Sequence, residues 1–221
     1  MDQTPKAITM TIGLITYDKP HRKTYDLACL LKVAGYDITL LTTPFIERKE
    51  RQPLIEHRLK GLAYHPTDIA KAFGWSKAAY GAIKCDKYII GGCNIITGLK
   101  ALNAHPGYLP AVRGLDAMKW AIYHGLPVGV TVHETTDEVD EGKVIIREIV
   151  PLYHHDTFHS FAHRLYHMEL QAMVDALEKP EVILDSGYVT GFEDVVHKRM
   201  PHRKEAIMLK RFEQRKLNNY G

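Results

Sequence analysis

The apolar positions of the chain fall into short blocks whose spacing switches between the periods of strand and helix. Residues 8–16 alternate and then run apolar, which predicts a first strand, and a loop with Asp18, Lys19 and Pro20 follows. Residues 21–34 carry Leu27, Leu30, Leu31 and Val33 at helical spacing, with Gly35 as the stop. Residues 36–41 form a second strand, so the chain opens with a strand–helix–strand unit that predicts a parallel sheet and a right-handed crossover. Residues 44–60 read as a charged helix or loop, 62–64 as a short strand, and 88–90 as a buried strand ending in Gly91-Gly92. Another strand, 101–104, ends at His105-Pro106, and a helix over 115–124 ends at Gly125. Two β-rich runs, 128–133 and 144–150, flank an acidic loop at 137–142. Residues 157–178 predict a long amphipathic helix capped by Asp156 or Thr157, and a basic helix lies near 202–217. The pattern predicts an α/β fold with a mostly parallel central sheet flanked by helices over residues 1–180, followed by a short basic extension over 181–221 that packs on or near it.

Composition narrows this only in places. With 45% hydrophobic residues among 221, the chain can bury a real core. No apolar run nears the roughly 18 residues of a membrane span. The first residues, Met1 to Lys6, are polar with no apolar stretch after them, so no secretory leader is expected. Cys29, Cys85 and Cys93 are too few and scattered for a disulfide framework, and Cys29 and Cys93 sit among apolar neighbours as inert thiols. A cytoplasmic setting is expected. The net charge of +3 names no partner, but Lys198, Arg199, Arg203, Lys204, Lys210, Arg211, Arg215 and Lys216 are opposed only by Glu205 and Glu213. Such a segment is either a solvated helix face or a surface for nucleotide phosphates or RNA.

Candidate chemistry gathers where a strand meets a loop. Asn103 and His105 are two residues apart, so on extended backbone they face the same side. An amide can donate to a developing oxyanion, and an imidazole can donate or move a proton near neutral pH. Pro106 fixes the backbone after the histidine and Gly107 permits a tight turn. The same pair also suits a plain turn with capping side chains. Asp137, Glu138, Asp140 and Glu141 suit a solvated turn, although a carboxylate reaching the pair would raise the imidazole's pKa. His155, His159, His163 and His167 recur every fourth residue, a spacing that can bind zinc. There is no HExxH, the row drifts around the helix, and half-exposed surface histidines are expected there, with no metal.

These residues resemble a family. Asn103-Ala104-His105-Pro106-Gly107-Tyr108-Leu109-Pro110, with Gly114 and Ala117, is similar to the Asn-x-His-Pro-x-x-Leu-Pro signature of the folate-dependent formyltransferases. Gly129-Val130-Thr131-Val132-His133, then Asp140, Gly142 and Ile145, is similar to that family's second signature, and Glu169 falls where it often has a Glu. The resemblance implies a Rossmann-like domain with 10-formyltetrahydrofolate as donor. It implies that Asn103, His105 and Asp140 are the catalytic trio: an amine attacks the formyl carbon, Asn103 and protonated His105 hold the oxyanion of the tetrahedral intermediate, and Asp140 sets the state of His105 and helps remove the amine proton. His133 takes a supporting position. Folate contacts are implied along Ile90, Gly91, Gly92, Cys93, Asn94, Ile95 and Ile96, and along Asp137, Glu138, Val139 and Gly142.

The acceptor is narrowed by departures from two members. The purine-synthesis enzyme has a second glycine in its phosphate loop, whereas this chain runs from Gly13 through Lys19 to Arg22 without one. The initiator-tRNA enzyme carries an added C-terminal domain, for which about 40 residues after Pro180 leave no room. What remains resembles the sugar N-formyltransferases, whose Leu-Pro-x-x-Arg-Gly variant is matched by Leu109 to Gly114. The acceptor is then a nucleotide-linked amino sugar, with His21, Arg22, Tyr108 and Arg113 as substrate contacts and Trp120 as a further flat surface. Glycinamide ribotide, methionyl-tRNA and a non-catalytic folate- or RNA-binding role are the alternatives. A homodimer is compatible with this reading, and neither a membrane nor a nucleic acid is expected as partner.

Overall fold

A computed structural model describes residues 10–19, 21–45, 76–93, 96, 98–178, 184–185 and 195–218. They belong to two compact units, one spanning Met1–Ile46 with Leu62–Ile95 and the other Glu47–Gly61 with Ile96–Gly221. The expected division near residue 180 falls inside the second unit. The predicted elements at 44–60 and 62–64 lie almost wholly outside the described residues.

The first unit holds strands β1 (Thr11–Tyr17), β2 (Asp37–Thr43), β3 (Ser76–Ala79) and β4 (Lys87–Gly92) and helix α1 (Arg22–Val33). All its pairings are parallel, in the order β3-β2-β1-β4, as the crossover pattern requires. β1 is buried along its middle five residues, which explains its unbroken apolar run. Helix α1 turns Thr24, Leu27, Ala28 and Leu31 inward, an i, i+3, i+4, i+7 stripe. Val33 falls off that stripe and is 88% exposed, contrary to its place in the expected apolar face. Gly35 stops the helix in the left-handed region at φ 89°; its N–H reaches Lys32 O at 3.0 Å and the Tyr36 N–H reaches Leu31 O at 3.0 Å. Strand β3 escapes the hydrophobic pattern because it is an exposed edge with no apolar face to bury.

The second unit holds β5 (Leu102–His105), β6 (Arg113–Gly114), β7 (Gly129–Glu134), β8 (Val144–Ile149), β9 (Leu184–Asp185) and β10 (Val196–His197). Its helices are α2 (Ala117–His124), α3 (Phe158–Glu178) and α4 (His202–Asn218). Here β5, β7 and β8 pair antiparallel; the short acidic loop between β7 and β8 cannot carry a crossover. β9 runs parallel to β8, and β10 runs parallel to β6. Helix α3 packs on β5, β7 and β8. Its N-cap is Thr157, whose hydroxyl accepts the Ser160 N–H at 3.0 Å while Ser160 Oγ accepts the Thr157 N–H at 3.1 Å. Asp156 does other work: it takes both arms of Arg164 at 2.7 Å, and these bonds outweigh its burial to hold its carboxyl well below the usual range.

Among the described residues no helix is long and apolar enough to cross a membrane. His155, His159 and His167 are exposed and His163 is half-buried. The His159 and His163 rings lie 4.3 Å apart and those of His163 and His167 6.3 Å apart. No group of three or more His, Cys, Asp or Glu among the described residues is placed to hold a metal ion.

Candidate active site

The antiparallel register of β5 and β7 sets Asn103 opposite His133 and His105 opposite Thr131. Four polar side chains therefore share one side of the two strands. Asn103 Nδ2 lies 3.3 Å from His133 Nε2, and His133 Nδ1 lies 2.9 Å from the Glu134 carbonyl. With Nδ1 as the protonated nitrogen, His133 Nε2 accepts from the Asn103 amide. This orients the amide and leaves its second N–H to point elsewhere.

Asp140 completes the group from the acidic loop. Its Oδ2 is 3.4 Å from His105 Nδ1 and accepts the Gly114 N–H at 3.0 Å; its Oδ1 is 3.6 Å from His133 Nε2. The backbone reaches this position through a left-handed turn, φ 56° at Asp140 itself. Burial alone would raise the carboxyl's pKa. The neighbouring His133 ring, the charge of His105 and the Gly114 N–H outweigh it and bring it down to about 2. His105 is buried, and burial pushes its imidazole below the ordinary histidine value against the opposing pull of Asp140 and the Val112 carbonyl, 2.9 Å from Nε2. Both ring nitrogens thus face acceptors. The ring is poised to take a proton whenever negative charge grows nearby.

Two glycines are required by close approach. A Cβ at Gly107 would lie 2.5 Å from His105 Nε2, and one at Gly142 would lie 1.5 Å from the Glu134 carbonyl. Gly142→Ala is expected to push the acidic loop off β7 and carry Asp140 away from His105. Turnover should fall about a hundredfold, with melting temperature as the control; unchanged turnover would show that the loop's seat is immaterial.

The sequence-based substrate contacts are redistributed. Tyr108 is 0% exposed, closed over by Gly129 and by the Arg147 guanidinium 4.9 Å from its ring, so it offers no surface to an acceptor. Arg113 is buried too and binds Glu141 and the Val139 carbonyl, making it a tie for the acidic loop. Trp120 stacks on His197 at 4.5 Å and donates its Nε1–H to Lys198 O at 2.8 Å, so it receives the C-terminal segment. In the first unit, Arg22 pairs with Asp26 at 2.8 Å and His21 Nδ1 lies 2.9 Å from Thr24 Oγ1.

Of the expected folate contacts, Ile90, Gly91 and Gly92 end β4 and Cys93 follows it. A Cβ at Gly91 would meet Thr24 Oγ1 at 2.9 Å and one at Gly92 the His21 ring at 2.2 Å, so both glycines are there for the approach of α1. Burial pushes the Cys93 thiol up to about 11, against the pull of Lys23, which fits an inert thiol. Asn94 and Ile95 lie outside the described residues, and Ile96 is half-buried. Asp137 accepts the Gly98 N–H at 3.2 Å, while Glu138 is exposed.

Two residues that the sequence reading left without a role fix the turn after His105. Thr131 Oγ1 donates to Gly107 O at 2.8 Å and accepts the Leu109 N–H at 3.0 Å, and Arg147 donates to Leu109 O at 2.6 Å. The alternation of β7 places Thr131 on the side of His133 and was the signal for it.

Residues 89–177, which contain this whole constellation, match the family model described as formyl transferase. The trifunctional purine biosynthetic protein adenosine-3 of Chironomus tentans is 40% identical over 91 residues, 41% of this chain and 6% of its own. The dTDP-4-amino-4,6-dideoxyglucose formyltransferase of Mycobacterium bovis is 28% identical over 127 residues, 58% of this chain and 53% of its own. The matched stretch thus spans about half or less of the curated relatives. A sugar N-formyltransferase structure from a Shewanella species is similar in fold, with TM-score 0.54 and 17% identity over 92% of this chain and 87% of that one. The strand register sets Asn103 and His105 on one side, and Asp140 joins them from the acidic loop.

Proposed function

We propose that this chain transfers a formyl group from 10-formyltetrahydrofolate to a primary amine, the amino group of a nucleotide-linked amino sugar. The observation that carries the reading is the convergence of Asn103, His105 and Asp140, with His105 Nδ1 3.4 Å from Asp140 Oδ2 and the Asn103 amide oriented by His133. The donor set suits a formyl carrier: an amide N–H, an imidazole and an ionised carboxylate. When bound, the carrier supplies a carbonyl carbon open to attack by an amine. Asn103 donates its remaining N–H to the carbonyl oxygen as that oxygen gains negative charge. His105 holds a proton beside the same oxygen, and Asp140 balances the charge of the imidazolium. One proton leaves the amine, taken by Asp140 directly or through water, and one proton returns to the carrier nitrogen as the old carbon–nitrogen bond breaks.

For the acceptor, support comes from the loop after β1, which lacks a second glycine, and from the length of the match to the amino-sugar enzyme, 127 residues against 91 for the purine protein. The test incubates the protein and 10-formyltetrahydrofolate with dTDP-4-amino-4,6-dideoxyglucose or with glycinamide ribonucleotide, following tetrahydrofolate release. Turnover with the amino sugar, lost in Asn103→Ala, is the expected result. Turnover with the ribonucleotide alone would overturn the acceptor, and no difference between wild type and Asn103→Ala would overturn the chemistry.

A further inference from the structure

Strand β6 is only two residues long, yet it touches three successive residues of the acidic loop. The Arg113 guanidinium binds the Val139 carbonyl at 3.5 Å and the Glu141 carboxylate, and the Gly114 N–H binds the Asp140 carboxylate between them. The Arg113 side chain is 8% exposed, so its hydrogen bonds are made largely out of water, where they are strong. On its other edge β6 pairs with β10, and a Cβ at Gly114 would lie 2.4 Å from the His197 carbonyl. Gly114 reaches this geometry in the left-handed region at φ 87°. The docking of β10 continues beyond the strand: the Leu115 N–H donates to His197 O at 2.8 Å, and Asp116 takes Arg199 at 3.1 Å and the Met200 N–H at 3.0 Å.

We propose that Arg113 is a positioning residue for Asp140, and that the C-terminal segment from Val196 to Met200 buttresses it by holding β6 from behind. The strand works as a two-sided clamp. One edge is locked by a segment about 80 residues away in sequence, and the other edge presents the catalytic carboxylate. This gives the C-terminal segment a part in the site without contact to any reacting atom. Five cations of this segment and the helix α4 that follows it are already engaged: Arg199 with Asp116, Arg211 with the Tyr123 carbonyl, Arg215 with the Leu126 carbonyl, Lys216 with the Asp156 carbonyl, and Lys204 over the Trp120 ring. The basic segment is thereby committed to docking more than to an RNA or a phosphate.

The catalytic consequence rests on the formyl-transfer reading, so the test includes a readout that does not. Arg113→Met keeps the buried stem and removes the fork, while Arg113→Lys restores the charge but not the two-point grip. Ring nitrogen shifts of His105 are followed against pH in the substrate-free protein. The groups acting on that ring are Asp140, His133 and Glu169. Release of Asp140 in Arg113→Met should lower the His105 midpoint by about one pH unit, with Arg113→Lys in between. In the assay, kcat should fall about a hundredfold with little change in KM. Arg199→Met, which removes the ion pair with Asp116 behind β6, should move the His105 midpoint the same way by a smaller amount. An unmoved midpoint in Arg113→Met with only a lower melting temperature would overturn the clamp, and an unmoved midpoint in Arg199→Met would overturn the buttress. A moved midpoint in a protein that formylates no acceptor would leave the clamp standing and remove the formyl-transfer reading.

Discussion

Asp140→Asn is expected to lower kcat by about 10²–10⁴-fold, the range for loss of a positioned proton-transfer group. The fold should survive, because the amide is nearly the same size and can still accept the Gly114 N–H. What is lost is the negative charge 3.4 Å from His105 Nδ1. Burial already pushes that imidazole down, and Asp140 is the first of the influences that oppose it. Without the carboxylate, His105 becomes harder to protonate and can no longer hold a proton beside the oxygen that gains charge. The same variant has a stability signature. The Asp140 carboxyl lies at about 2 in the folded protein, against an ordinary value near 4. A carboxyl depressed on folding stabilises the protein above its unfolded pKa, and that contribution is lost as pH falls toward 2. The difference in unfolding free energy between wild type and Asp140→Asn should therefore be about 2 kcal/mol at neutral pH and shrink between pH 4 and pH 2. Denaturant unfolding at several pH values reads it, and a pH-independent difference would count against an ionised Asp140 held by its neighbours.

The candidate site was readable where it depends on local geometry. Asn103 and His105 are two apart on a strand, so their common side follows from the period of the chain. Asp140 was readable only through a motif interval, since nothing local says that an acidic turn reaches back to a strand end. The contact depends on the left-handed turn at Asp140 and on the seat of Gly142 against the Glu134 carbonyl, both tertiary facts. The surroundings of the expected substrate contacts were not legible for a related reason. Tyr108 and Arg113 have the chemistry of ligand-binding side chains, but chemistry does not report burial. Arg147 lies over the Tyr108 ring, and Glu141 draws Arg113 inward. The basic helix was read correctly as a helix, and its charge was legible. Its partners were not, because the carbonyls that end α2 become acceptors only once α4 lies across them.

Lys119 and Glu205 form the most deeply buried ion pair described, with Nζ 2.5 Å from Oε1 and both side chains 0% exposed. On α4, Met208 and Phe212 are fully buried, with the Phe212 ring against Phe158 and Phe161 of α3. Lys119→Met alone, or Glu205→Leu alone, leaves a charge in that site without its counter-charge and should destabilise the protein by about 3–5 kcal/mol. For a chain of this size that is on the order of a 10 °C fall in melting temperature. The double variant removes both charges and fills the space with apolar atoms. It should recover most of the loss or exceed wild type, since buried pairs offset little of their own desolvation. Activity should follow the same order. If α4 and β10 brace β6, the single variants loosen the Asp140 loop and lower kcat more than a remote site would. The double variant, with docking restored by apolar packing, should regain kcat. Restored stability without restored kcat would mean that the charges act on the site through their field; restoration of both would mean that docking is what the site requires.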